Sequence, residues 1–84
     1  MKRIDIQILQ PIVRNETLNV QEALSVQFRN VGNTDATIDG NLTLRAGEVF
    51  ALGGGENCVF SKRLVIKFNT GVHQKIEVIL TKYV

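Results

Sequence analysis

The 84 residues carry 10 Lys and Arg against 8 Asp and Glu, a formal net charge of +2 at pH 7, with one Cys, one His and one Pro. That length admits a single domain, residues 1–84, whose thin core removes only about 60–65% of the unfolded chain's surface from water. The basic residues are spread from Lys2-Arg3 through Lys62-Arg63 to Lys82, without the concentrated footprint of a nucleic-acid binder. Cys58 alone excludes an internal disulfide, and Cys58 with His73 offers no zinc ligand set.

The chain opens with Met1-Lys2-Arg3, and Ile4, Ile6 and Ile8 then alternate with Asp5 and Gln7. This is a strand rather than the apolar core of a signal peptide. No apolar run approaches the roughly 20 residues of a membrane helix. The expectation is synthesis in a cytoplasm without a signal peptide, and no membrane partner. Pro11 cannot donate to a ladder and marks a bulge or an edge. Beyond it the apolar parity slips from Ile8 to Leu9 and Val13, as a bulge requires.

From Thr17 to Arg29 the even positions read Leu18, Val20, Glu22, Leu24, Val26 and Phe28, and the odd ones are mostly polar. Period two makes this a strand with one dry face, irregular at Glu22-Ala23. Next come Gly32 and Asn33, read as turn residues that tolerate positive φ. Ala36-Thr37-Ile38 and Leu42-Thr43-Leu44 then face each other across Asp39-Gly40-Asn41. A three-residue loop pairs Ile38 with Leu42 on the dry side and predicts Asn41 in the left-handed position. In Arg45-Ala46-Gly47-Glu48, Gly47 stands where a type II turn needs it.

Leu64, Ile66 and Phe68, and then Ile76, Val78 and Leu80, repeat the even parity; Val65 and Ile79 add apolar side chains to the opposite faces. Such two-faced strands are central or have an outer face covered by a neighbour. No segment has a helical period. The prediction is an all-β domain, an antiparallel β-sandwich of about seven short strands, jelly-roll or immunoglobulin-like in order, with even-numbered side chains inside.

Chemistry is not legible in the same way. Gly53-Gly54-Gly55 runs into Glu56-Asn57-Cys58 and a strand, not into the Gly-Lys-Ser/Thr and helix of a phosphate loop, and reads as a turn or partner-contact loop. Cys58, beside Val59-Phe60, reads as a small apolar core residue, and His73 as an exposed turn residue. The carboxylates are scattered, so no catalytic residue, cofactor site or metal site is assigned. Phe28, Phe50, Phe60 and Phe68 share the inward parity, against the outward aromatics of a single-strand nucleic-acid binder, so a small oligonucleotide-binding barrel is kept as the least favoured alternative.

The stretch VQFRNVGNTDATIDGNLTLRAGEVFAL, about a third of the chain, ends one strand in Asn-x-Gly, makes a short hairpin and continues through Leu-x-x-Gly-Glu. Those positions are Asn30, Gly32, Leu44, Gly47 and Glu48, with Ala46 where such patterns usually hold proline. The pattern resembles small β-sandwich proteins of tailed-phage virions, the decoration and head-auxiliary subunits, and also bacterial immunoglobulin-like adhesion modules. The first resemblance implies a non-enzymatic structural subunit located in a virion. Its partners would be other copies of itself and a viral protein lattice, with no cofactor and no nucleic acid. The second implies a module that recognises protein or glycan. The expected partner-contact positions are the hairpin tip Asp39, Gly40 and Asn41, the loop Gly53, Gly54, Gly55, Glu56 and Asn57, and the edge from Ile4 to Pro11.

Overall fold

The computed structural model describes residues 3–53, 58–69 and 73–83. Seven strands follow in order: β1 (Ile4–Ile8), β2 (Glu16–Asn30), β3 (Ala36–Ile38), β4 (Leu42–Leu44), β5 (Val49–Gly53), β6 (Phe60–Phe68) and β7 (Ile76–Tyr83). Every pairing is antiparallel, and no helix occurs among the described residues.

The long strand β2 organises the molecule. At Ala23 it has Lys82 of β7 on one side and Phe60 of β6 on the other; at Ser25 it has Thr81 of β7 and Gly53 of β5. β6 and β5 therefore lie end to end along one edge of β2. Its first half joins β6, β3 and β4, and its second half joins β5, β7 and β1. Two sheets thus share one strand.

Two irregularities set the bend between them. Val20 faces Lys62 and Ala23 faces Phe60, so β2 carries one extra residue there, and Glu22 takes a φ of 50°. The Glu22 N–H, displaced from the ladder, donates to the Ser61 hydroxyl at 3.0 Å. A second one-residue shift against β7 follows between Ala23 and Ser25. The first shift turns Ala23 inward, and the second restores even parity for Val26 and Phe28. Extra residues of this kind bend and twist a strand.

The ends of β2 converge accordingly. The Phe68 N–H donates to Asn15 Oδ1 at 2.8 Å, just before β2 begins, and Phe68 pairs with Ala36. Asn30, at the other end of β2, reaches the carbonyl of Leu44, which pairs with the same Ala36. The sheet is folded over a single core.

That core follows the predicted parity through most of the chain. Ile12, Val20, Val26, Phe28, Ile38, Leu44, Leu64, Ile66, Ile76 and Val78 are buried. Phe28 lies opposite Phe50 across β2 and β5, with ring centroids 6.4 Å apart and planes 11° from parallel. Phe50, Phe60 and Phe68 pack against the cluster while keeping partial exposure.

β1 departs from the prediction. Leu9 pairs in register with Val78, whereas Ile12 pairs with Ile76, so one extra residue lies at Gln10-Pro11. This is the bulge that Pro11 announces, but it reverses the expected faces. Ile12 enters the core, and one residue inserted before it turns Ile4, Ile6 and Ile8 outward, at 57%, 66% and 81% exposure. Leu9 packs partly against the core, and Val13 is exposed.

Three smaller expectations are also corrected. The left-handed residues of the β3–β4 hairpin are Asp39 (φ 56°) and Gly40 (φ 73°), not Asn41, although Ile38 does pair with Leu42. The Asp39 N–H donates to the Val65 carbonyl and its Oδ1 accepts from the Val65 N–H, both at 2.8 Å, which ties the tip to β6. Neither Gly32 nor Asn33 has positive φ; Gly32 is needed because a Cβ there would lie 2.2 Å from the His73 carbonyl oxygen. Cys58 is exposed rather than in the core, because β6 begins two residues later, at Phe60.

Candidate partner-contact surfaces

The Asn-x-Gly and Leu-x-x-Gly-Glu elements meet at one buried polar group. Asn30 is fully buried, and its Nδ2 donates to the carbonyls of Thr34 at 2.8 Å and Leu44 at 3.0 Å. Its Oδ1 accepts the Gly32 N–H at 3.1 Å. Its backbone carbonyl accepts from Gly47, and its N–H donates to the Glu48 carbonyl. Gly47, at φ 87°, turns the chain so that the Glu48 N–H reaches the Arg45 carbonyl, and Glu48 Oε1 accepts the Arg45 N–H at 2.7 Å. Asn30, Gly32, Leu44, Gly47 and Glu48 therefore form one hydrogen-bonded lock at the end of β2. No side-chain polar group buried among the described residues lacks a partner, as is usual of folded interiors. The polar contacts of the lock are made within the chain.

The hairpin tip is exposed at Asp39, Gly40 and Asn41. A Cβ at Gly40 would meet nothing within 4 Å, so this position is open to a partner. Asp39 is not free in the same sense: its carboxylate holds β6 through Val65 and lies 3.7 Å from Lys62 Nζ.

Of the glycine loop, only Gly53 falls within the described residues; Gly54, Gly55, Glu56 and Asn57 lie outside them. Gly53 is exposed, and its Cα sits so close to β2 that a Cβ would lie 2.8 Å from the Leu24 carbonyl oxygen. Where β5 stops and β6 starts, Leu52, Gly53, Phe60, Ser61 and Lys62 line an open cleft of about 300 Å³. A second open cleft, of about 410 Å³, lies between Val13, Val31-Gly32-Asn33 and His73-Gln74-Lys75. No group of three or more His, Cys, Asp or Glu able to hold a metal occurs among the described residues.

The outer surface of β1 is built differently. Pro11 is exposed at its end, and the cross-strand register places Ile4 beside Tyr83, Ile6 beside Thr81 and Ile8 beside Ile79 on one outward face. Ile79, Thr81 and Tyr83 are half-buried, so the apolar strip is most open on β1. The inner side of β1 carries Asp5, Gln7 and Leu9, with Gln7 Nε2 donating to Asp5 Oδ2 at 3.1 Å. The sequence pattern puts a contact edge between Ile4 and Pro11 but assigns the isoleucines to the core. The parity slip at Pro11 was the signal that they share a face with each other and not with Ile12.

No protein-family model, no curated protein and no solved structure matches this chain.

Proposed function

We propose that the chain is a non-enzymatic structural subunit of a larger assembly, a component of a tailed-phage virion. It would act by self-association and by docking on a protein lattice. The strand arrangement carries this reading. With the halves of β2 taken separately, each layer has four strand segments, β1-β7-β2-β5 and β2-β6-β3-β4, and the first and last strands are neighbours. That is a jelly-roll arrangement, an architecture that viral capsid domains share with lectins and cupins. An immunoglobulin constant-type order puts the first and last strands in different layers, which disfavours the adhesion-module reading. Architecture is an analogy and does not by itself dictate function. The exposed apolar edge on β1 adds a second support, because a lone soluble chain has no use for it.

The test is direct. Particles purified on a density gradient from cells that carry the gene should contain the chain in many copies, detected by peptide mass spectrometry and by antibody labelling of intact particles. Purified chain should also co-sediment with particles stripped of it. A chain that stays in the soluble fraction, absent from particles and unable to rebind, would overturn the reading.

A further inference from the structure

Among the described residues, β1 ends the strand order and pairs only with β7. The Leu9 N–H donates to the Val78 carbonyl at 3.0 Å, in the register that β1 keeps throughout. In an antiparallel ladder the residues that bond a given neighbour alternate. Odd residues of β1 therefore bond β7, and Ile4, Ile6 and Ile8 turn both their side chains to solvent and their backbone N–H and C=O groups to the open edge.

We infer that this edge pairs with the same edge of a second copy, antiparallel, about a two-fold axis through Ile6. The register follows from the residues. An axis at Ile6 sets Ile6 opposite Ile6 and Ile4 opposite Ile8, all hydrogen-bonded pairs, so every outward backbone group of β1 finds a partner. Asp5 then faces Gln7 of the other copy, extending the Asp5–Gln7 hydrogen bond already present within each strand. Six isoleucines become one continuous strip. Other registers fail on named residues. An axis at Asp5 opposes two carboxylates, and like charges directly opposite are unfavourable. An axis at Gln7 or Ile8 runs Gln10 of the bulge into the ladder, and one at Ile4 pairs no residue of β1 but Ile4 with its own counterpart. The contact is isologous, as a two-fold dimer requires, and it joins two sheets into one by strand addition.

This inference rests on the self-association in the proposed function and specifies its surface. The Cα atoms of a hydrogen-bonded cross-strand pair lie about 5.5 Å apart, within reach of a disulfide. In a Cys58→Ser background, Ile6→Cys should form a disulfide-linked dimer on mild oxidation. Ile4→Cys and Ile8→Cys should each stay unlinked when oxidised alone and should cross-link to each other when mixed. Ile6→Pro removes the edge-facing N–H, a change edge strands accept, together with the isoleucine side chain. It should keep the parent's circular dichroism and weaken dimerisation in sedimentation equilibrium by about a hundredfold, as expected for two lost hydrogen bonds. Ile6→Lys, which leaves the backbone intact, provides a second disruption.

Self-linking through Ile4 or Ile8, or a dimer unaffected by Ile6→Pro and Ile6→Lys, would overturn this register and edge while leaving self-association standing. A parent chain that is monomeric at its highest soluble concentration would overturn the inference and the self-association with it. Docking on particles is read separately, by co-sedimentation.

Discussion

The Asn30 lock and the β1 edge are inversions of one another. At the lock, a polar side chain is fully buried and every hydrogen-bonding atom of its amide is used. At the edge, apolar side chains stand in water beside backbone groups that have no partner among the described residues. The first inversion is resolved inside the chain, because the amide replaces water with three protein contacts. The second is not resolved there at all. A fold explains its buried polar groups by what they bond; under the proposed pairing, a second copy explains the apolar edge.

The sharpest test of that contrast is truncation at the lock. Asn30→Ala takes the amide away from the Thr34 and Leu44 carbonyls and from the Gly32 N–H, which keeps the Lys75 carbonyl as its other acceptor. The expected loss is about 3–4 kcal/mol of folding stability, from three hydrogen bonds lost at a buried site. In a domain of this size, that lowers the thermal midpoint by about 15–20 °C, measurable by calorimetry. Ile66→Ala, a deletion in the fully buried part of the core, should cost a comparable 2–5 kcal/mol or so. If Asn30→Ala costs only a few tenths, the lock is incidental to folding.

Gly32→Ala comes next. The new Cβ would meet the His73 carbonyl oxygen at 2.2 Å and the Lys75 nitrogen at 2.8 Å, both backbone atoms that cannot rotate away. The turn must separate from the segment leading into β7, at an expected cost of about 2–3 kcal/mol. Chemical denaturation would measure it, and Gly40→Ala is the control for open space with positive φ, where about 1–2 kcal/mol is expected from backbone strain alone.

Asp39→Ala should cost about 1–2 kcal/mol, because it removes the acceptor for Val65 and places alanine at positive φ. Asp39→Asn should recover most of that, since asparagine tolerates the left-handed region and keeps an acceptor oxygen. A neutral Asp39→Ala would return the whole hairpin tip to the candidate contact surface.

These positions also show what period and turn chemistry can convey. Even parity marks the core from Ile12 to Leu80 because alternation is a local property of a strand, and the irregularity at Glu22-Ala23 shows as a polar residue on a dry face. Parity states which side chains share a face, but not which face is covered. One residue added at Gln10-Pro11 is enough to put Ile8 outside and Ile12 inside. The Asn41 expectation fails for a related reason. Local turn preference allows either asparagine or Asp-Gly to take positive φ, and the choice is made by Val65, 26 residues away in sequence. The Asn30 lock joins elements 14 residues apart, so its turn residues were legible individually and their union was not. As for the contact surfaces, the edge from Ile4 to Pro11 could be located, but its chemistry required the bulge to be resolved.

The smallest expected effect is the most informative. Ile6→Ala deletes the same atoms as Ile66→Ala, yet at low protein concentration it should change stability by no more than about 0.5 kcal/mol, the range for exposed positions. As concentration rises the two chains should diverge. A parent that pairs through β1 gains stability by mass action, so its thermal midpoint should climb with concentration. The midpoint of Ile6→Ala should climb less, and that of Ile6→Lys should stay flat. Parallel behaviour of all three would mean that Ile4, Ile6 and Ile8 take no part in association. A large loss in Ile6→Ala at low concentration would mean that these side chains support the monomer after all. Only divergence with concentration fits an apolar strip whose cover is a second molecule.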